Sequence, residues 1–580
     1  MSKIYFSKTN SCSLDSLHIY IKDKSLFILM TIYQVKINDR LYSKYNYKQK
    51  NDNIEIDLEI NPSENKLFNN DLFIVDKHNK VTIIESETRS MEIPGVLVIQ
   101  NNKTYGRKKN KLVYKCIPNN KLLPSFLIPY EIRNVGFSKV FKNIFITFTF
   151  DDWSDKHPYG TIKNVIGSVD SLPNYYEYQL YCKNINISIN NFTKKTNELL
   201  KNKSFNDRLS EYNIINRDLS NIYTIDPKNS LDYDDAFSIQ KLDNNFFLLS
   251  IYIANVSLVL DMLNLWSINR VSTIYLPNLK KSMLPPILSD DLCSLKSNEP
   301  RLAFTMDILI TDNIIVDITY SNCVINVNKN YFYEEESLLI NSDYLMLFNL
   351  LKNMDNKIND SHDVIAYLMI LMNHKCSAKM AQFENGIYRV TNKKELTVNL
   401  DLVPIEIRNN LELILSNSGN YRLFNKNLEH TSLNLSSYLH ITSPIRRIVD
   451  LLNLIKLQEN LNLIELGEES KKFYNYWIDK LDYINETFKS INKVQRDCSL
   501  LDLFYNNNEI KNTIYDGYII TDKLIKSTAY KYNVYIRELK LFSTITVVNE
   551  LKDFNNLKFK LFLFNDEDNL KSKIKLQLVI

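Results

Sequence analysis

Four aspartates fall within ten residues of this chain, Asp226, Asp232, Asp234 and Asp235 in the stretch YTIDPKNSLDYDDAFSI. Two unit charges about 4 Å apart repel by roughly 1 kcal/mol in water and about 4 kcal/mol at the effective dielectric of a protein surface, so carboxylates that converge call for a cation. Hard oxygen donors suit Mg²⁺ or Mn²⁺, and Mg²⁺ is usually held by one or two carboxylates with waters and substrate phosphates. A calcium loop of the EF-hand type fits poorly, because the residues after Asp232 lack the Gly and the terminal Glu that its spacing demands. A solvated acidic turn is the more common use of an Asp-rich loop. Taken alone, the segment leaves both the turn and the cation site open.

The surrounding elements decide whether these carboxylates can converge. Ile222 to Ile225 reads as a short strand, Pro227 breaks it, and an apolar β-prone pattern resumes from Phe237 to Tyr252 around a turn at Asp243 to Asn245. Residues from about 210 to 510 read as the largest unit, continuing with helical stretches over Asp363 to Glu384, Ile445 to Asn460 and Glu468 to Phe504. Met369, Met372 and Met380 on the first of these are core filler. The first 200 residues are dominated by short β-type runs, namely Leu26 to Ile37, Ile54 to Ile60, Leu72 to Val75, Val81 to Ile84, Gly95 to Gln100, Lys111 to Ile117 and Phe141 to Phe150. Such spacing predicts two small β-barrels, and five further runs after about 510 predict an OB-type barrel.

The chain of 580 residues is too long for one core, and three to five domains are expected. With 71 Lys plus Arg against 67 Asp plus Glu, any nucleic-acid surface has to be a local basic groove. Gly occurs 9 times where average usage would give roughly 40. That bias resembles AT-rich coding, so the 36 tyrosines are not evidence of base stacking by their number. Seven cysteines stand singly, Cys12, Cys116, Cys182, Cys293, Cys323, Cys376 and Cys498, which argues for a reducing compartment and against a zinc site. No secretory signal is read at the N-terminus. The most apolar window, Phe246 to Trp266, contains Asn255 and Asp261 and predicts a core strand and helix rather than a membrane span. A soluble, cytoplasmic monomer is expected.

Two further blocks make the acidic segment specific. They are VSTIYLPNLKKSMLPPILSDDLCSLKSNEPRLAF at 271–304 and YLHITSPIRRIVD at 438–450. With IDPKNSLDYDDA, these motifs resemble, in order and spacing, the RNB domain of the ribonuclease II and ribonuclease R family, which includes the catalytic subunit of the eukaryotic exosome. The resemblance implies that Asp226, Asp232 and Asp235 help to hold Mg²⁺ (or Mn²⁺), with Asp234 beside the nucleophilic water and itself counted in the acidic metal set. It implies that Tyr275 and Tyr333 stack on bases near the RNA 3′ end; either tyrosine alone is also explained by core packing or codon bias. It places Arg446 at the scissile phosphate. Pro444 predicts a helix start with Arg446 and Arg447 in its first turn, where N–H groups favour anions, so both are expected to contact RNA phosphate.

The resemblance implies an α+β multidomain fold, with an RNB catalytic domain of mixed sheet and packed helices between N-terminal cold-shock/OB barrels and a C-terminal S1-like OB barrel. The expected boundaries are an N-terminal extension at 1–20, barrels at 21–92 and 93–180, a connector at 181–209, the RNB domain at 210–510 and the S1-like barrel at 511–580. With the chain beginning close to the first barrel, the additional endonuclease domain of the exosome subunit is not expected. The implied activity is processive, Mg²⁺-dependent 3′-5′ hydrolysis of single-stranded RNA to nucleoside 5′-monophosphates by a two-metal mechanism. An RNA-decay complex or helicase is the implied partner, and no membrane is involved. The alternative is an RNA-binding regulator with an impaired RNB domain. The chain departs from the family pattern at Tyr252 and Asn255 (family His and Asp), at Ile448, Leu454 and Ile455, and at Gln495 (family Glu). These changes are expected to remove polar groups that orient the site.

Overall fold

The computed structural model describes residues 31–52, 54–132, 141–202, 212, 214–217, 221–391, 419–425, 428–526, 529–539, 541–552, 554–566 and 571–579. The expected N-terminal extension, Cys12, the start of the run from Leu26 and part of the expected connector lie outside the described residues. The chain divides into two compact units, Met1–Asn186 with Leu563–Lys573, and Ile187–Phe562 with Ile574–Ile580.

In the first unit, a five-stranded sheet has the order Glu55–Ile56, Tyr45–Gln49, Tyr33–Ile37, Leu72–Val75, Val81–Glu85. A second, six-stranded sheet runs Glu92–Val98, Ile144–Asp152, Tyr159–Ser168, Phe126–Tyr130, Lys111–Pro118, Arg107–Lys108, and Glu92–Val98 pairs again with Lys111–Pro118, closing a barrel. Closure removes the sheet edges. Phe68, Phe126, Phe148 and Trp153 fill the core, with Phe68 and Phe126 stacked at 5.8 Å. The barrel wall needs Gly160, because a Cβ there would lie 2.6 Å from Phe148 and 2.7 Å from Ile128. The strands Tyr45–Gln49 and Tyr159–Ser168 are absent from the sequence expectation, since their alternation is interrupted by Asn46 and Lys48 at half-buried positions and by Lys163 and Asn164 at exposed ones.

The second unit is built on a seven-stranded mixed sheet in the order Ile215–Arg217, Ile314–Asn326, Pro300–Thr311, Phe247–Ala254, Asp235–Lys241, Tyr223–Asp226, Lys329–Phe332. The two outermost pairings are parallel and the inner ones antiparallel. Both faces are covered, so Phe247–Ala254 and Pro300–Thr311 are buried along most of their length, and Phe247–Ala254 reads as a nearly continuous apolar run. Ala236, Tyr252 and Ala254 face a core shared with Val256–Leu263 and Ile448–Asn460. Phe237, Ile251 and Ile253 face the opposite core, shared with Ser342–Met354 and Ser361–Ala381. The stretch expected as one helix from Glu468 to Phe504 is two, Glu468–Ile478 and Leu481–Asn506. The interruption at Asp479 and Lys480 lets Trp477 and Ile484 both reach one core.

After the second helix, strands Ile514–Lys526, Ala529–Ile536, Leu541–Val547, Asn556–Asp566 and Lys571–Leu578 form a five-stranded sheet. Sheets of this size N- and C-terminal to a mixed, helix-covered sheet give the α+β multidomain fold. Among the described residues, no helix is long and apolar enough to cross a membrane. The six described cysteines are all free thiols.

Candidate active site

The strand Tyr223–Asp226 ends on the first aspartate and Asp235–Lys241 begins on the last, so the loop between them carries the other two. Its start is a tight turn with Ser230 N–H donating to the Pro227 carbonyl at 3.0 Å and Asn229 at φ 73°. Its end is tied to a distant segment. Ser294 Oγ donates to the Leu231 carbonyl at 2.8 Å and accepts from Tyr233 N–H at 3.0 Å, and Leu295 N–H donates to the Tyr233 carbonyl. Ser294, in the DDLCSL block, is therefore a positioning residue that sequence reasoning passed over.

Asp234 is the most enclosed of the four, at 3% exposure. Its Oδ1 accepts from Ile445 N–H at 2.9 Å and its Oδ2 from Arg446 Nε at 3.1 Å. Burial pushes its pKa up to about 7 against the pull of Arg446 and the Ile445 N–H. Asp226 and Asp235 are raised as well, chiefly by burial and then by neighbouring carboxylates. Asp232 differs: its Oδ1 lies 2.7 Å from Lys280 Nζ, and its Oδ2 accepts from the Tyr275 hydroxyl at 3.2 Å.

Tyr275 stands on a hairpin strand, Ile274–Leu276, with 42% of its surface exposed. Gln495 Oε1, from the helix Leu481–Asn506, accepts its backbone N–H at 2.8 Å. The departure at Gln495 thus retains an acceptor for the hairpin. Tyr333 N–H donates to the Asp226 carbonyl at 3.1 Å, and its ring stacks on His362 at 3.8 Å and 12°. The adjoining Glu334 accepts from Ser361 N–H at 2.9 Å, fixing this loop to the helix Ser361–Ala381. Burial, then Asp235 and Asp226, push the Tyr333 hydroxyl up to about 12, placing it in the field of the carboxylates.

The expectation that Arg446 and Arg447 lie in the first turn of a helix is corrected: the helix is Ile448–Asn460 and its N-cap is Arg447, with extended backbone at φ −136° and ψ 127°. Ser272 pairs with Arg447 as an isolated bridge, while Thr273 N–H donates to the Arg446 carbonyl and Ile448 N–H to the Val271 carbonyl. Strand-like pairing pulls this backbone out of the helix and turns the two arginines apart. Arg446 faces Asp234 and is 42% exposed, whereas Arg447 Nη2 donates to buried Asp450 at 2.8 Å. Asp450 also accepts from Ser443 N–H, closing the SPIRR turn.

The turn rests on a buried polar layer. Asn453 accepts Ile387 N–H and donates to the Ile387 and His440 carbonyls, and His440 Nδ1 lies 2.7 Å from the Tyr421 hydroxyl. His430, 7% exposed, has its pKa lowered to about 4 by burial and then by Arg389. A depressed folded-state pKa means that the unfolded chain takes the proton first as pH falls from about 6.5, so His430 costs stability between there and about 4. Scanning calorimetry of wild type and His430→Phe from pH 7 to 4.5 is expected to show the wild-type Tm falling relative to the variant's. A constant difference would show that His430 takes up protons alike in both states.

The other departures bond or pack with groups other than the four carboxylates. Asn255 caps Val256–Leu263 by accepting Leu258 N–H, and donates to Asn322 and Gln458. The Tyr252 hydroxyl lies 2.9 Å from Ser238 Oγ, and Ile448, Leu454 and Ile455 are core residues.

A divalent cation suits the donors. Asp226 Oδ2 is buried and has no hydrogen-bond partner, beside two further carboxylates raised by burial and mutual repulsion. As the side chains stand, no three acidic, histidine or cysteine groups among the described residues could share one ion. Lys280 holds Asp232, and Arg446 with Ile445 holds Asp234.

Residues 216–345 and 345–462 match the RNB domain model. The second unit is thus similar to the RNB domain over these residues, and the chain resembles ribonuclease R. DIS3-like exonuclease 2 of Schizosaccharomyces pombe is 27% identical over 248 residues, 39% of this chain and 26% of that protein. The stretches shared with this protein and three ribonuclease R sequences span from 24% to 49% of those curated relatives, under half of their length. Ribonuclease R of Mycoplasma genitalium, solved in complex with ribose-methylated single-stranded RNA, matches at TM-score 0.66 and 17% identity, covering 95% of this chain and 100% of that one. Yeast Ssd1, a pseudonuclease, matches at TM-score 0.59 and 13% identity over 93% of this chain and 81% of its own. At such identities these structures establish the shared fold.

Proposed function

We propose that the chain is a 3′-5′ exoribonuclease that degrades single-stranded RNA processively to nucleoside 5′-monophosphates with Mg²⁺, Mn²⁺ being an alternative ion. The observation that carries this reading is the Asp234–Arg446 pair in the midst of three other aspartates. A buried carboxylate and a half-exposed guanidinium are held on each other through the Arg446 Nε, the one guanidinium nitrogen engaged among the described residues. The terminal N–H groups of Arg446 can then take a phosphate oxygen and offset charge that develops at phosphorus. When bound, divalent cations in a two-metal arrangement would supply a more acidic water and neutralise the leaving oxygen. Asp226, Asp232 and Asp235 would hold them, and Asp234 would orient the attacking water. Ribonuclease R and DIS3-like exonuclease are the names of relatives similar to this chain.

Residues 210–510 would carry the chemistry, while the β-rich segments 21–92, 93–180 and 511–580 would guide RNA, in the cytoplasm, as a monomer or beside a helicase or decay complex. Tyr275 and Tyr333 would stack on bases near the 3′ end, and Arg447, through its bond to Asp450, would hold the turn that presents Arg446 and add to the positive field on the phosphate. Stacking is worth about 1–3 kcal/mol per base, so Tyr275→Ala is expected to weaken single-stranded RNA binding by about five- to 150-fold. Tyr275→Phe keeps the ring and loses only the hydrogen bond to Asp232, and is expected to bind as wild type. Fluorescence anisotropy in EDTA checks both; equal weakening by the two variants would remove stacking as the cause.

A second reading, an RNA-binding regulator with an impaired site, is favoured by the Lys280 contact to Asp232 and by the likeness in fold to a pseudonuclease. Digestion of 5′-labelled single-stranded RNA with Mg²⁺ or Mn²⁺ decides between them. Progressive shortening from the 3′ end, arrested by a deoxyribose near that end, supports the enzyme. Tight RNA binding without shortening at any ion concentration supports the regulator.

A further inference from the structure

Lys280 lies opposite Tyr275 in the hairpin Ile274–Leu276 and Leu279–Lys281, the two residues forming a register pair. Residues paired across a hairpin project from the same face, and here both reach Asp232. Lys280 Nζ is 2.7 Å from Asp232 Oδ1 and 3.2 Å from Asp290 Oδ1, and the Tyr275 hydroxyl occupies Asp232 Oδ2. Asp232 is only 10% exposed and Lys280 27%, so the contact is shielded from solvent more than an ordinary surface pair. The structure thus places a protein cation on one member of the acidic set, with a second carboxylate within reach of the same ammonium.

We propose that Lys280 is a resident counter-cation that holds Asp232 while the site is metal-free and passes to Asp290 when a divalent cation enters. The inference rests on the proposed metal-dependent reading and adds to it a competition built into this chain. A divalent ion attracts a carboxylate with twice the Coulomb energy of an ammonium at equal distance, so exchange is favoured once the ion is present. Asp290 keeps the displaced ammonium paired, because Lys280 Nζ already donates to its Oδ1 at 3.2 Å. Lys280 is a positioning residue here and makes no contact with substrate in this scheme. Its consequence is a raised threshold: the site fills only when divalent cation is abundant enough to displace an intramolecular competitor.

The test is Mn²⁺ binding to the full chain without RNA, followed by the electron paramagnetic resonance signal of the free ion. Lys280→Met is expected to bind Mn²⁺ about five- to tenfold more tightly, the fold-change that corresponds to losing one modest ion pair as competitor. Lys280→Arg keeps the charge and is expected to match wild type. Asp290→Asn removes the second acceptor and is expected to weaken Mn²⁺ binding. Asp235→Asn serves as the site control and is expected to lose Mn²⁺. If Asp235→Asn loses the ion but Lys280→Met binds no more tightly than wild type, the counter-cation role is overturned and the metal site stands. If wild type and Asp235→Asn bind alike, the metal reading of these carboxylates fails and the inference fails with it. A tightening shared by Lys280→Arg and Lys280→Met would also overturn it, because charge would not be the cause.

Discussion

Asp234→Asn is expected to lower RNA hydrolysis by at least about a thousandfold while leaving single-stranded RNA bound, a loss of about 4 kcal/mol of transition-state stabilisation. The substitution is nearly isosteric, and the amide retains one oxygen for the Ile445 N–H that Asp234 Oδ1 accepts at 2.9 Å. Its NH₂ group would then face the Arg446 Nε–H that Oδ2 accepts at 3.1 Å, replacing an attraction by a donor–donor contact. Two things are lost together: the negative charge beside the water and the anchor that aims Arg446. The base-stacking contacts proposed for Tyr275 and Tyr333 would be untouched, so binding and turnover should separate. Single-turnover digestion of 5′-labelled RNA beside anisotropy measurements checks this. Residual activity above about a tenth of wild type would displace Asp234 from the centre of the chemistry.

Arg446→Lys is expected to reduce the single-turnover rate by about a hundred- to a thousandfold, the effect of removing one aimed donor from developing charge. Lys keeps a positive charge, but it replaces a planar fork with a point donor that cannot hold Asp234 and a phosphate oxygen in one plane. Arg446→Ala is expected to be at least as damaging, for an added reason. Asp234, already raised to about 7 by burial, would lose its closest compensating charge and rise further, so the water-orienting carboxylate would be protonated over more of the neutral range. The activity remaining in Arg446→Ala should therefore increase more steeply with pH between 7 and 9 than that of Arg446→Lys. Parallel pH profiles would show that the arginine acts on phosphate alone.

Much of this arrangement is legible in the chain because it is local or repeats with a period. The strand Tyr223–Asp226 ends where Pro227 interrupts, and the run at Phe247 is almost wholly apolar because its sheet is covered on both faces. The β-type runs of the first unit are legible where alternation is clean and lost where Lys and Asn interrupt it, at half-buried positions in Tyr45–Gln49 and exposed ones in Tyr159–Ser168. Tyrosines are illegible by type in so biased a composition. Tyr331 is buried in the core at 9% exposure and Tyr275 stands 42% exposed at the site, a contrast that neighbouring sequence does not dictate.

The sequence by itself determined the acidic segment, the order of the three motif blocks and the alternation of β-rich and helical regions. These depend on residue type and spacing within one element, where a carboxylate, a proline or an apolar period acts on its neighbours. Tertiary structure alone decided which carboxylates are free and which are engaged. Lys280 and Asp232 are distant in sequence, as are Arg446 and Asp234, and Gln495 and Tyr275, yet each pair meets within hydrogen-bonding distance. It also turned Arg447 into the protein and left Arg446 facing the site, two identical adjacent side chains separated only by a strand-like bridge to Ser272. A hydrogen bond between remote segments leaves no period in the sequence, because its partners are brought together by the packing of the sheet and helices that carry them.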